Sequence, residues 1–181
     1  MSSKQNPSRH HPALVSLHWL IFILIAGLSV SGLYSTSLEN DDPIKRSILL
    51  LHLPIGSTTF FLLIASLIVR LRMPRPAYAS TGNAALDVIG RVTHVALFVL
   101  ALLTAMSGMF LSLRSGLMPT IFFNASAPLP ADFFIFIERF FHQYVSKALF
   151  WLIILHVGAA IYHQVWLKDN LLSRMWYGKN S

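Results

Sequence analysis

Long apolar segments alternate with short polar connections along the chain. Four segments, residues 14–34, 43–71, 84–113 and 132–167, are long and apolar enough to be helices that cross a bilayer, which takes ~20 residues. The connections carry Asp, Pro and Gly, which commonly start or end helices. The pattern therefore predicts an all-α integral membrane four-helix bundle over residues 14–167, flanked by polar tails at residues 1–13 and 168–181.

Local signals refine two of these helices. Asp42 followed by Pro43 is typical of a helix start, and Pro54 lies inside the second helix, where proline removes one backbone hydrogen bond. A fourth helix over residues 132–167 would be roughly 50 Å long and would exceed the bilayer. The connection before it contains Ile121, Phe122 and Phe123, and we expect the two aromatic side chains at the membrane interface.

Composition supports a membrane protein and excludes several kinds of site. The chain is 55% hydrophobic and only 12% charged, with a mean hydropathy of +0.61, which is too apolar for a soluble domain of this size. It contains no cysteine. Disulfides, iron–sulfur clusters and covalently attached haem are therefore excluded.

The distribution of charge predicts the orientation. Nine basic and two acidic residues lie in the two tails and the connection over residues 70–91, whereas five of each lie on the other side. By the positive-inside rule, both termini are expected in the cytoplasm. Topology thus explains the net charge of +7, and no nucleic-acid partner is expected.

Histidines are the candidate functional residues, because ionisable groups within a membrane span are costly and usually functional. His142 and His156 are fourteen residues apart, which puts them on one helix face ~21 Å apart along the axis. With both termini inside, His52 matches the depth of His142 near the outer surface. For His156 in the inner half, both His18 and His94 remain open as partners.

Pairs of imidazoles at two depths favour haem over other metals. Zinc and non-haem iron sites need three or four converging ligands, and no acidic residue lies deep in a span. Bis-histidine haem needs two axial imidazoles and an apolar slot. Gly56 and Gly158 could provide that slot, although small residues also serve ordinary helix packing. Arginines near the two membrane surfaces could pair with haem propionates. Arg70 and Arg72 are expected on the inner side, and Arg46, Arg114 and Arg139 on the outer side.

At this point the chain resembles the bacterial cytochrome b561 family of four-helix membrane cytochromes. The resemblance rests on His18-Trp19-Leu20, on His52 with Gly56, on the fourteen-residue histidine spacing and on the ending Trp166 to Asn170. It implies a multi-pass protein of the bacterial inner membrane with two noncovalent haem b groups. Helices one, two and four supply the ligands in that family, which implies His18 with His156 inside and His52 with His142 outside.

One position departs from the family pattern. Relatives often carry an arginine in helix two where this chain has Ser66. If that arginine contacts a propionate or a quinone in the relatives, the inner site of this chain differs from theirs.

The resemblance also implies a reaction, since a stand-alone member oxidises superoxide at the periplasmic face and reduces ubiquinone. We therefore expect a superoxide oxidase. The residues expected to attract superoxide are Lys45, Arg46, Arg114, Arg139 and Lys147, and those expected to contact or protonate the quinone are His94, His163 and Lys168. The alternative is a cytochrome b anchor subunit that relays electrons between quinone and a partner redox protein, a dehydrogenase or hydrogenase. A haem-free transporter is a third interpretation.

Overall fold

The computed structural model describes residues 7–74, 76–77, 82–124 and 126–178. In chain order its helices are α1 Pro12–Thr36, α2 Pro43–Arg72, α3 Ala84–Arg114, α4 Leu117–Phe122 and α5 Ile137–Tyr162. A π-helical turn, His163–Leu167, continues α5, and a short 3-10 helix, Leu171–Met175, follows. The part of the chain described contains no strand, so the all-α prediction is confirmed.

Four of these helical segments are long and apolar enough to cross a membrane. They are α1, α2, α3 and the segment Ile137–Leu167, which combines α5 with the π-helical turn. A small core between them takes one buried side chain from each, Ile21, Leu63, Ala101 and Leu149. Most other apolar side chains are exposed on the outside of the bundle, as expected for helices whose outer surfaces face lipid.

The starts of three helices follow from local sequence. Proline occupies the first position of α1 and of α2, where its missing N–H is harmless. Asp42 accepts a hydrogen bond from the N–H of Ile44, as its position before Pro43 predicts. Asn83 accepts from the N–H groups of Ala85 and Leu86 at the start of α3. α2 then continues through Pro54 without a break.

α5 begins five residues later than the sequence predicted. Residues 132–136 form turns, in which the Asp132 carboxylate accepts a hydrogen bond from the N–H of Phe134. This acidic residue was interpreted as a helix start, but its side chain caps a local turn instead. The predicted length of about 50 Å is correspondingly too great.

The connection before α5 contains the short helix α4, which the sequence did not predict. Leu117 and Ile121 of α4 are buried against Leu53 and Leu129. Phe123 of the same run is 88% exposed. Arg46 of α2 holds this connection by donating to three backbone carbonyl oxygens, those of Thr120, Asn124 and Ala127.

The helices pack in chain order. α1 packs against α2, α2 against α3 and α3 against α5, and the last pair is in the most extensive contact. The backbones of α1 and α5 approach each other at few points. Space therefore remains inside the bundle along α5, on the side that faces α1 and α2.

Both described ends of the chain meet at one end of the bundle, here called the terminal end. Arg9 donates to the carbonyl oxygen of Ser173 at 2.7 Å, and the Trp19 indole N–H donates to the carbonyl oxygen of Met175 at 2.9 Å. The backbone N–H of His10 also donates to Arg174. The opposite end carries α4 and the connection between α1 and α2, and is called the loop end.

Candidate functional site

Two histidines face each other at the loop end. The rings of His52 on α2 and His142 on α5 have centroids 6.4 Å apart and planes at 83°. Nδ1 of His52 is hydrogen-bonded to the Ser31 hydroxyl at 3.0 Å. Nδ1 of His142 lies 3.0 Å from the carbonyl oxygen of Thr104 and 3.3 Å from the Ser107 hydroxyl. Because a carbonyl oxygen can only accept, Nδ1 of His142 carries the proton and Nε2 keeps its lone pair.

This spacing fits two imidazoles that share one metal. With a metal–nitrogen bond of ~2 Å on each side, two rings that bind a metal from opposite sides have centroids roughly 6 Å apart. Hydrogen bonding of the second ring nitrogen is also the usual way in which a metal-binding histidine is oriented. The ring separation of His52 and His142 is therefore compatible with a bis-histidine haem iron, and the Nδ1 atom of each ring is already hydrogen-bonded.

The two rings line a cavity of about 660 Å³, within the usual range for a ligand or cofactor pocket. Gly56 also lines it, and an added Cβ there would meet no atom within 4 Å. Gly108 is different, because an added Cβ would lie 2.9 Å from Cε1 of His142. At Gly32 the corresponding distance to Cε1 of His52 is 3.4 Å. The close packing of the His142 ring against α3 thus requires a glycine at position 108. An added Cβ at position 32 could be accommodated beside the His52 ring.

Some of the polar groups that line the cavity lack a hydrogen-bond partner. Among the described residues, three lining side chains have a buried oxygen without a hydrogen-bond partner, Thr104 Oγ1, Ser112 Oγ and Gln143 Oε1. Buried polar atoms normally find partners. Their clustering here indicates that the cavity accommodates a group with polar substituents, and haem, with its apolar ring and its two propionates, fits that description.

The cations predicted at this end divide into two sets. Lys45, Arg139 and Lys147 line the cavity. Arg46 and Arg114 do not, because Arg46 binds the carbonyl groups of the α4 connection. Arg114 forms an ion pair with Glu138 at 2.9 Å, and its side chain is 61% exposed. Only the first set can act directly on a group in the cavity.

Three histidines meet at the terminal end. The rings of His94 on α3 and His156 on α5 have centroids 5.1 Å apart at 77°. His18 on α1 lies close enough to both for their charges to interact, and Arg70 is close enough to interact with both His18 and His94. The described residues contain no cluster of three or more His, Cys, Asp or Glu arranged to hold a metal ion. The three histidines therefore do not form one metal site together.

The spacing at this end favours His18 over His94 as the partner of His156. A separation of 5.1 Å is a direct edge-to-face ring contact and is shorter than the roughly 6 Å expected across a shared metal. A second cavity of about 310 Å³ lies between α1 and α5 and is lined by Phe22 and Ile153. Phe22 is four residues after His18 and Ile153 three before His156, but the described residues that line this cavity include no histidine and extend along α1 to Val30. Gly158 also faces open space.

The remaining predicted residues lie near the terminal end without entering either cavity. Arg72 is exposed at the end of α2. His163 is in the π-helical turn, and its Nδ1 lies 2.5 Å from a carboxylate oxygen of Asp169. Lys168 has a left-handed backbone conformation with φ 52°. Asp169 was not among the candidates, because a single exposed acid in a tail gives no sequence signal of its partner.

Sequence reasoning also missed the residues that orient the loop-end histidines. Ser31, Thr104, Ser107 and Gly108 contact His52 or His142. They come from α1 and α3, which the sequence did not assign to this site. Small or hydroxyl-bearing residues are common at membrane helix interfaces, so only the packing distinguishes these from the others.

Comparison with known proteins shows two similarities that cover the whole helical region. The profile of the prokaryotic cytochrome b561 family matches residues 9–178. The chain is also similar to cytochrome b561 homolog 2 of Escherichia coli strain K12, with 27% identity over 188 aligned positions. That alignment covers 100% of this chain and 97% of the relative. Both matches extend over all four spans and the segment Leu171–Met175.

Proposed function

Because the chain belongs to the prokaryotic cytochrome b561 family, we propose that it oxidises superoxide at the loop end and passes the electrons to a membrane quinone at the terminal end. The family consists of redox proteins that carry electrons through b-type haem in the membrane. The chain is accordingly an electron-transfer protein that crosses the bacterial inner membrane several times. The donor, the acceptor and the residues at each site are the proposal.

His52 and His142 are proposed to hold the haem at the loop end, and His18 and His156 the haem at the terminal end. Haem b held by two histidines supplies one-electron oxidation and reduction without an open position at iron. The ring separation of 6.4 Å supports the first pair. The space between α1 and α5, together with the close ring contact of His94 with His156, supports the second.

Lys45, Arg139 and Lys147 are proposed to attract superoxide to the loop end. Superoxide is an anion, and a cleft lined with one sign of charge concentrates an oppositely charged substrate. Lys45 is fixed there by hydrogen bonds to the Leu38 carbonyl oxygen at 2.8 Å and to Asn40 Oδ1 at 2.6 Å. The same cations can pair with propionates, as Arg70 can at the terminal end.

The proposed orientation rests on the distribution of basic residues. The terminal end carries the excess of Lys and Arg, so the positive-inside rule assigns it to the cytoplasm and the loop end to the periplasm. Two superoxide ions then lose one electron each outside and become two O₂. One quinone gains the two electrons and two protons inside and becomes quinol. His94, His163 and Lys168 are the candidates for contact with the quinone, for which ubiquinone is the proposed species.

The proposal is carried by one observation, which is the pair of oriented histidines in a cation-lined cavity at the end assigned to the periplasm. The test is to purify the chain alone and follow the absorption of its haem. We expect reduction when superoxide is generated and reoxidation when a short-chain ubiquinone is added. Inertness toward superoxide, with reduction only by a copurifying protein, would favour the anchor-subunit alternative.

A further inference from the structure

A histidine–carboxylate pair occupies the terminal end, beyond the three clustered histidines. Nδ1 of His163 lies 2.5 Å from Oδ2 of Asp169. His163 follows His156 by seven residues, which is ~10 Å further toward the membrane surface at helical rise. The His163 side chain is 18% exposed and that of Asp169 is 33% exposed. The pair thus connects a largely shielded imidazole to a more accessible carboxylate.

The backbone around this pair is unusual. α5 ends in the π-helical turn His163–Leu167, a conformation that is rare and frequently found at functional sites. Lys168 and Asn170 then adopt left-handed conformations with φ of 52° and 53°. This conformation is uncommon for a lysine, whereas asparagine adopts it more readily. Together they turn the chain so that Asp169 faces back toward His163.

Charged neighbours keep the carboxylate ionised. Burial raises the pKa of Asp169, but hydrogen bonds from His163 and from the N–H of Leu171, with the positive charge of Arg174, outweigh it and lower that pKa below its ordinary value. An ionised carboxylate stabilises the protonated form of an imidazole that it contacts.

We propose that His163 and Asp169 form the proton-loading pair for quinone reduction, with Asp169 as the positioning residue and His163 as the proton donor. This inference rests on the proposed function. Each quinone takes two electrons and two protons to become quinol, and His163 gives one proton at a time to a quinone oxygen. His163 then regains a proton from water at the cytoplasmic surface. Histidine suits this role because its imidazole ring can both donate and accept a proton.

The test is quinol formation by the haem-loaded full chain carrying Asp169→Asn. Asparagine can still accept the hydrogen bond that the Leu171 N–H gives to Oδ1, so the local turn is preserved while the charge is lost. We expect quinol formation at neutral pH to slow at least tenfold, since a positioned general acid contributes ~10²–10⁴-fold. Haem content and reduction by superoxide should be unchanged. Reoxidation by ferricyanide, an acceptor that takes no proton, should also be unchanged.

Asp87→Asn is the matched control, because Asp87 is the other acidic residue assigned to the cytoplasmic side and lies in the first turn of α3. It should form quinol at the wild-type rate. His163→Ala should be slow and should regain activity when imidazole is added. Unchanged quinol formation in Asp169→Asn, or equal slowing in Asp87→Asn, would overturn this inference alone. Failure of the wild-type chain to form any quinol would overturn the proposed function with it.

Discussion

The two ends of the bundle hold histidines in different ways. At the loop end, His52 and His142 face each other across 6.4 Å, and each Nδ1 is hydrogen-bonded. At the terminal end, His94 and His156 are in direct ring contact at 5.1 Å, with His18 near both. The proposed assignment of haem ligands therefore depends on more than the depth of each histidine in the bundle. The neighbouring helices must also leave room beside it for a flat group.

The strongest test of this difference removes one loop-end ligand. We expect His142→Ala and His52→Ala each to lose one of two haems and to keep the other, because each change removes one axial ligand of a single site. The haem-to-protein ratio of the purified variants measures this, with His11→Ala on the polar tail as the control. Retention of both haems in either variant would refute the pairing.

Steric crowding of the His142 ring should have a smaller effect on haem binding than removal of that ring. In Gly108→Ala the added Cβ would lie 2.9 Å from Cε1 of His142, so the ring must shift away from the Thr104 carbonyl oxygen. We expect haem affinity at the loop end to fall about 10–100-fold, as is typical when a hydrogen bond that orients a ligand is lost. Titration of haem into the apoprotein measures this.

Gly90→Ala is the matched control in the same helix, since an added Cβ there meets no atom within 4 Å. It should bind haem as the wild type does. The haem affinity of Gly32→Ala should lie between those of the Gly108 and Gly90 variants, because its added Cβ would be 3.4 Å from Cε1 of His52. Equal haem affinity in the Gly108 and Gly90 variants would show that the close approach at Gly108 does not position His142.

Charge at the loop end should change the rate at which superoxide reduces each haem-loaded molecule. We expect the triple change of Lys45, Arg139 and Lys147 to Gln to slow reduction by superoxide roughly tenfold at low salt, the lower end of the range for electrostatic steering. The difference should shrink at high salt, because screening weakens attraction. Arg114→Gln, outside the cavity, is the control. A triple variant as fast as this control would argue against steering.

The smallest effect on haem content is expected at the terminal end. His94→Ala should keep both haems, because His94 contacts the His156 ring directly instead of facing it across a metal. The haem-to-protein ratio of His94→Ala, measured beside that of His18→Ala, decides between the two candidates. Loss of the terminal haem in the His94 variant alone would transfer the ligand role from His18 to His94.

Much of the fold could be predicted from the sequence because the bilayer imposes length and apolar content on each span. The four spans and the start of α2 at Asp42 and Pro43 are confirmed. The start of α5 was wrong, since the Asp132 side chain caps a turn, and α4 was missed, since six residues give little periodic signal. Local signals of this kind do not report which tertiary contacts a residue makes.

The site could be predicted only in part, because depth along a helix can be calculated from sequence but lateral neighbours cannot. Counting residues places His52 near the depth of His142, yet it leaves His18 and His94 equally suitable for His156. It also treats all five cations at the loop end alike, although Arg46 and Arg114 are committed to other partners. Only the packing between helices separates the cations that line the cavity from those that bind elsewhere, and it is the basis for proposing His18 as the partner of His156.

The central claim is that the chain holds two haems, each between two histidines at opposite ends of the bundle. The most direct test is the haem-to-protein ratio of the purified wild-type chain, determined from the absorption of the reduced haem. The account predicts a ratio of two. A ratio of one, or a colourless protein, would contradict it.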